Sequence, residues 1–301
     1  GGIGLAGFAA LLQEQVDYMP SVVITDEEVD YMRRKMYYLP EWYFTFLRGY
    51  RFNPAEVDIR QDGQLHLHVT VKGKWYSAIV WEMVLLPCIS ELMHYLRGDF
   101  ERYDAVRERE RTRVKAERAL EGGLAISDFG TRRRFSYDHQ DMVVRVFTEV
   151  ARSRQWPGVF PGTSNVYLAM KYGLTPIGTM SHQLISFEEN VSGLFECNFN
   201  VMRKFSDVFD GDNGIFLYDC FGDTVFFNNL SKRMAMMYRG LRIDSGKEEE
   251  QLEKIIAKYQ SLGIDPAGKQ VVYSNALNID RALQLHTYTA GRMQDSYAIG
   301  T

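Results

Sequence analysis

The sequence predicts an α/β fold, either a barrel or a large doubly wound sheet, preceded by a smaller α+β domain. Three observations carry that expectation. From about residue 122, short apolar runs alternate with amphipathic stretches of roughly ten to twenty residues, the rhythm of parallel strands joined by right-handed crossover helices. Each run ends on a glycine, a hydroxyl or a charge, where parallel α/β folds gather their sites at the carboxyl ends of the strands. There is no G-x-G-x-x-G after the first strand and no Walker A loop, which weighs against dinucleotide and P-loop folds.

Residues 1–121 read as the α+β domain. Thr25-Asp26-Glu27-Glu28 is a helix start, with Thr25 or Asp26 as the cap and acids in the first turn. Tyr50-Arg51-Phe52-Asn53-Pro54 closes a helical aromatic segment. A hairpin follows, from Glu56–Ile59 through a turn at Asp62-Gly63 to Leu65–Val71. The apolar segment Trp75–Leu96 reads as helix after its first residues. The dense mixed charge of 101–121 fits a solvated helix laced with i,i+4 pairs.

Residues 122–301 read as the barrel domain. The strand candidates are Leu124–Phe129, Val159-Phe160, Pro176–Thr179, Ile215–Leu217, Gly240–Ile243, Gln270–Tyr273 and Ser296–Ile299. Between them, Met142-Val143-Val146-Phe147-Val150 and Leu252-Ile255-Ile256-Tyr259-Leu262 show helical spacing.

Composition removes several classes. With a net charge of -4 there is no basic footprint for a nucleic-acid backbone. Cys88, Cys197 and Cys220 lie far apart, without metal spacing, which fits a reducing, cytoplasmic setting. The run from Ile79 to Ile89 is interrupted by Glu82 and falls short of the ~20 residues that span a bilayer, so no membrane segment is expected. The chain opens Gly-Gly-Ile-Gly and stops at Ile299-Gly300-Thr301, so native sequence is expected to be missing at one or both ends.

The sharpest candidate site segment is Gly240-Leu241-Arg242-Ile243-Asp244-Ser245-Gly246. Strand period puts Arg242 and Asp244 on one face, and Ser245 with Glu248 is expected to cap the next helix as a capping box. An Arg–Asp pair at a helix start suits an anion, a ribose diol or a metal–phosphate complex, but equally a plain strand-end salt bridge. Asp128-Phe129-Gly130-Thr131-Arg132-Arg133-Arg134 offers a ring face and three consecutive arginines, an anion site or a basic surface turn. Of six histidines, His66 and His68 alternate onto the wet face of the hairpin, and His94, His139 and His286 fall in helical patterns. Only His182 follows a strand and a Gly-Thr-Met-Ser turn, which favours a functional imidazole. Asp210-Gly211-Asp212-Asn213-Gly214 lacks the remaining ligands of a calcium loop and reads as a turn.

Four motifs in order, Asp-Phe-Gly-Thr-Arg-Arg-Arg-Phe-Ser (128–136), Gly-Thr-Ser-Asn (162–165), Leu-Thr-Pro-Ile-Gly-Thr-Met-Ser-His (174–182) and Gly-Leu-Arg-Ile-Asp-Ser-Gly (240–246), resemble the nicotinate phosphoribosyltransferase family. Arg51-Phe52-Asn53-Pro54 and Trp81–Leu86 resemble its N-terminal domain.

That resemblance implies an irregular α/β barrel of the type II phosphoribosyltransferases beside an N-terminal α+β domain, in a homodimer with shared active sites. It implies a reaction joining nicotinate to phosphoribosyl pyrophosphate with Mg²⁺, driven by ATP through a phosphohistidine at His182. By the same resemblance, Asp244 would stabilise the transition state and Arg242 would pair with the nicotinate carboxylate. Asp219 and Asp244 would hold the metal. Phe129 would stack on the pyridine, Arg132 would hold phosphate oxygens, and Thr163, Ser164 and Thr179 would line the substrate. The Asn275–Ala276 turn and Gly300 would offer N–H groups to the 5′-phosphate. Ser164 stands where nicotinamide-specific relatives carry an Asp, which favours an acid substrate. Ser274-Asn275-Ala276-Leu277-Asn278 replaces the family's Ser-Asp-Asn-Leu-Asp, and Thr-Asp-x-Tyr-Lys is absent. The alternatives are therefore a nicotinamide-specific relative and a non-catalytic nucleotide-binding homologue.

Overall fold

The computed structural model describes residues 7–300; the Gly1–Gly4 opening and Thr301 lie outside them. The chain begins with α1 (Phe8–Tyr18), α2 (Asp26–Lys35) and α3 (Glu41–Gly49). Thr25, not Asp26, caps α2: its side chain accepts from the Glu28 N–H while Glu28 accepts from the Thr25 N–H. The hairpin follows as β1 (Val57–Gln61) and β2 (Leu67–Val71), antiparallel with Val57 opposite Val71. His66 and His68 are on its exposed side, each 3.1 Å from Asp62 Oδ2. Leu12, Val16, Val57, Trp81 and Leu85 form the small core under the hairpin.

The apolar segment is longer as a helix than its sequence suggested. Helix α4 (Trp75–Ala78), a 3₁₀ turn (Ile79–Trp81) and α5 (Glu82–Leu96) run on as one rod of 22 residues. By length and composition alone the rod is long and apolar enough to cross a membrane. Here it joins α1 and the hairpin in the small core, and its polar groups bond to the rest of the fold: Glu91 accepts the Tyr137 N–H at 3.1 Å, and His94 pairs with Asp99 at 2.8 Å. Helix α6 (Ala105–Glu121) carries the expected charge pairs, Arg111–Glu108, Arg113–Glu110 and Arg113–Glu117.

The remaining elements alternate. They run β3 (Ile126–Asp128), α7 (Tyr137–Ser153), β4 (Gly162–Thr163), α8 (Val166–Tyr172), β5 (Thr175–Pro176), α9 (His182–Ser192) and α10 (Cys197–Phe209). Next are β6 (Ile215–Leu217), α11 (Asp223–Asn229), α12 (Lys232–Met237), β7 (Gly240–Ile243) and α13 (Glu248–Ser261). Finally come β8 (Gln270–Tyr273), α14 (Ile279–Thr289) and β9 (Gln294–Ile299). Every pairing among β3–β9 is parallel, in the order β5-β4-β3-β9-β8-β7-β6.

That order decides between the two fold classes. A doubly wound sheet reverses direction at a switch point inside the sheet. Here the last strand pairs with the first, Ile126 opposite Tyr297, so spatial order follows chain order around a ring. The ring is open between β5 and β6, the strands that α9 and α10 connect. This is an irregular α/β barrel.

Two local expectations fail for identifiable reasons. The strand expected at Val159-Phe160 supplies only an isolated bridge from Val159 to Ala125. Pro161 has no N–H to continue a ladder, and pairing resumes at Gly162–Thr163. Glycine is required there, because a Cβ on Gly162 would lie 1.9 Å from the Thr175 carbonyl oxygen. The Ser245 capping box is also absent: α13 starts two residues later, behind Lys247, with no side-chain cap. In the core, the apolar stripes of α7 (Met142, Val143, Val146, Phe147, Val150) and α13 (Leu252, Ile255, Ile256, Tyr259) are buried as their spacing predicts.

Candidate active site

The carboxyl ends of β6, β7 and β8 bring together residues that the sequence separates by up to about a hundred positions. Arg242 and Asp244 lie on one face, as period 2 requires, while Ile243 is fully buried. The Arg242 guanidinium is held on all three nitrogens. Nε donates to Ser274 Oγ at 2.8 Å, one terminal nitrogen to Thr179 Oγ1 at 3.0 Å, and the other to Asp244 Oδ1 at 2.7 Å. Ser274 also donates to Asp244 Oδ1. Arg242 therefore has a single orientation before any ligand arrives.

His182 is the first residue of α9, where the β5 end turns into helix. Its Nε2 lies 3.2 Å from Asp219 Oδ1 and 3.9 Å from Asp244 Oδ2. The imidazole thus sits beside two carboxylates from adjacent strands. Ser245, freed from capping, donates to Asp219 Oδ2 at 2.5 Å. Burial alone would raise the Asp219 carboxyl, but hydrogen bonds from His182 and Ser245 outweigh it and hold its pKa below the ordinary aspartate value.

The sign of that shift gives a pH prediction. A carboxylate whose folded pKa is depressed contributes stability above its unfolded pKa of about 3.9 and loses it as pH falls through the folded value. The melting-temperature advantage of the native protein over Asp219→Asn is therefore expected to be full above about pH 5 and to shrink on acidification. A difference that stays constant from pH 6 to pH 3 would contradict the linkage.

A second cluster lies at the ends of β3 and β4. Asp128 is buried and accepts from Thr163 Oγ1 (2.6 Å), Gln140 Nε2 (2.9 Å) and the Gly130 N–H (2.9 Å). Burial pushes its carboxyl up, and these three donors offset only part of the shift. Gln140, fully buried on α7, also donates to Thr131 Oγ1 at 2.9 Å, as does Asn165 at 3.2 Å. The network fixes the Phe129–Thr131 turn, and Phe129 is pinned further by its N–H on the Ile299 carbonyl at 2.8 Å. Ser164 is half-buried, its N–H on the Asp128 carbonyl. Gln140 was missed because it falls within an amphipathic helical pattern that reads as packing.

The three arginines do not converge on one anion site. Arg132 donates to Glu82 at 2.5 Å. Arg134 is turned inward, over the Tyr137 ring and 3.7 Å from Glu91. Thr131–Arg133 is a 3₁₀ turn, which splays successive side chains around its axis. Asn275 donates its side-chain amide to the Gly246 carbonyl at 3.0 Å and to Glu248 at 3.3 Å, contacts an aspartate could not make. Ala276 beside it has φ 41°. Asn278 caps α14, accepting from the Arg281 N–H at 2.9 Å. Gly300 directly follows β9, beside Gly130. A cavity of about 330 Å³ adjoins these tips and is walled in part by Asp128, Asn278 and Gly300. It shares none of His182, Asp219, Arg242 or Asp244.

Residues 124–301 match the model of the nicotinate phosphoribosyltransferase family, and residues 3–90 match that of its N-terminal domain. The chain belongs to the nicotinate phosphoribosyltransferase family. The nicotinate phosphoribosyltransferase of Chromohalobacter salexigens is 39% identical over 297 residues, covering 98% of this chain and 74% of the relative. That of Methanosarcina mazei is 34% identical, covering 92% of this chain and 70% of the relative. The crystal structure of nicotinate phosphoribosyltransferase from Porphyromonas gingivalis superposes with a TM-score of 0.91 at 36% identity, covering 98% of this chain and 74% of that one. The Vibrio cholerae structure gives 0.89 at 26% identity, covering 100% and 71%. The strand-end cluster and the adjoining cavity both carry charged groups, the cavity through Glu108, Arg111, Lys115, Arg118, Asp128, His139 and Asp280.

Proposed function

We propose that this chain joins nicotinate to phosphoribosyl pyrophosphate, releasing pyrophosphate, with ATP hydrolysis coupled through phosphorylation of His182. The observation that carries the reading is the imidazole of His182 beside Asp219 and Asp244, next to an Arg242 already fixed by three partners. Displacing pyrophosphate from an anomeric carbon builds positive charge on the ribose, and Asp244 is the carboxylate placed to stabilise it. Arg242 offers the nicotinate carboxylate a guanidinium whose orientation is already set. Phe129 offers a ring face to the pyridine, and Ser164 adds no negative charge against an acid substrate.

With Nε2 against Asp219, the hydrogen sits on Nε2 and the lone pair on Nδ1. That lone pair attacks the γ-phosphorus of ATP, the bond to the β-phosphate oxygen breaks, and ADP leaves. Water later releases the phosphate.

The residues fit Mg²⁺. No group of three or more His, Cys, Asp or Glu side chains among the described residues is arranged to hold a metal, but Mg²⁺ needs only one or two carboxylates and takes its other ligands from water and phosphates. Asp219 and Asp244 would supply that pair, and the ion when bound would offset charge on the leaving pyrophosphate. A cytoplasmic homodimer with shared sites completes the reading. Exposed Tyr76, Met83 and Leu86 on the 75–96 rod give such a dimer an apolar patch to cover.

The test is pyrophosphate release that requires both nicotinate and phosphoribosyl pyrophosphate, with nicotinamide as the competing substrate. Label from the γ-phosphate of ATP is expected on the native protein and absent from His182→Ala. Ligand binding by calorimetry without turnover would instead establish the non-catalytic homologue, and preference for the amide the nicotinamide-specific one.

A further inference from the structure

Glu82 belongs to the N-terminal rod, yet both of its carboxylate oxygens are committed to the barrel. Oε1 accepts from Arg132 at 2.5 Å and Oε2 accepts from Gln183 Nε2 at 2.5 Å. Arg132 follows the Phe129–Thr131 turn at the end of β3. Gln183 is the second residue of α9, directly after His182. One carboxylate therefore spans the turn that presents Arg132 and the helix start that presents the imidazole.

The rod touches α9 at a second point. Trp75 stacks on Phe187, ring centroids 4.7 Å apart and planes 4° apart. Residues 183 and 187 stand i,i+4 on one face of α9, so that face is held at both Glu82 and Trp75. Ser181 makes no side-chain cap at the helix start. Behind Glu82, Trp81 is fully buried and donates from its indole to Glu56 at 3.0 Å, which anchors the rod. A side chain held at both oxygens on a rigid element sets the position of whatever it grips.

We propose that Glu82 is a positioning residue that ties the Arg132 turn to the first turn of α9 and so sets where the His182 imidazole stands relative to substrate. The inference rests on the ATP-coupled transfer proposed above. Arg132 has further N–H groups to offer an anion, and an anion drawing on them competes with Glu82 for the guanidinium. Occupancy at Arg132 is thereby felt at Gln183, and the link works in both directions.

Glu82→Gln keeps the size of the side chain but removes the charge facing Arg132, and its NH2 can meet Gln183 only if that amide turns over. Gln183→Leu removes the helix arm alone. In the full chain, Glu82→Gln is expected to keep the native melting temperature. It should raise the KM for phosphoribosyl pyrophosphate and the number of ATP molecules hydrolysed per product, each by roughly 10-fold. Gln183→Leu should raise the ATP-to-product ratio and leave that KM unchanged. In both variants the ¹⁵N resonances of the His182 ring should move, a readout independent of turnover. An unchanged ratio in Glu82→Gln, with His182→Ala uncoupled, would overturn the assignment. So would losses in Glu82→Gln that merely track the fraction of protein folded. If the unmodified protein makes no product, the transfer reading fails instead, and an unmoved His182 resonance then overturns the role of Glu82 separately.

Discussion

Asp244→Ala is expected to lower kcat/KM for pyrophosphate release by about 10²–10³-fold, the cost of removing one preorganised electrostatic contact to a developing charge. Asp244 is partly exposed at the end of β7, with Oδ1 engaged by Arg242 and Ser274 and Oδ2 turned toward His182 at 3.9 Å. One oxygen is fixed by the protein and the other is left for chemistry. Arg242 keeps its contacts to Ser274 and Thr179 in the variant, so nicotinate binding should survive and the loss should fall mainly on kcat. Asp244→Asn separates charge from shape: it keeps an oxygen for Arg242 and loses the negative charge. Steady-state kinetics on both variants checks this, and an Asp244→Asn enzyme within threefold of native would remove Asp244 from the transition state.

Asp128→Ala is expected to cost about 3 kcal/mol of stability, roughly 6–12 °C in melting temperature by calorimetry. Three donors point at this buried carboxylate, and alanine leaves the Gly130 N–H with no acceptor. Gln140 still donates to Thr131 and Thr163 Oγ1 still accepts from the Asn165 N–H, but the Thr163 hydroxyl and the second Gln140 amide hydrogen lose their acceptor along with the Gly130 N–H. Relief of the carboxylate's own burial penalty, the cause of its raised pKa, keeps the figure from being larger. The turn carries Phe129, so activity should fall with stability. A melting temperature within a degree of native would show that the network is dispensable.

Much of the candidate site was legible because backbone periods are local. Alternation along a strand put Arg242 and Asp244 on one face, whatever the strand packed against. The turn after Pro176 singled out His182 among six histidines, because a Gly-Thr-Met-Ser segment ends a strand and opens a helix. The same local reasoning misjudged Ser245. Its spacing to Glu248 fits a capping box, but Asp219 lies within reach from the neighbouring strand and takes the hydroxyl. It also undervalued Glu82, which in sequence merely interrupts an apolar run, and it treated Asn275 as a lost carboxylate when its amide is a donor clasping the Gly246 loop.

The sequence by itself determined the alternation of strands and helices, the buried stripes of α7 and α13, and the polar character of the strand ends. Each of these depends on residues only a few positions apart, whose faces are set by 2- and 3.6-residue periods. Tertiary structure decided that β9 pairs with β3 and curls the sheet into an open barrel, that Thr179 and Ser274 orient Arg242, and that one glutamate on the N-terminal rod grips both Arg132 and Gln183. Those contacts join residues about 30 to 170 positions apart, and their partners are fixed by strand register and helix packing across the whole chain, which no local spacing encodes.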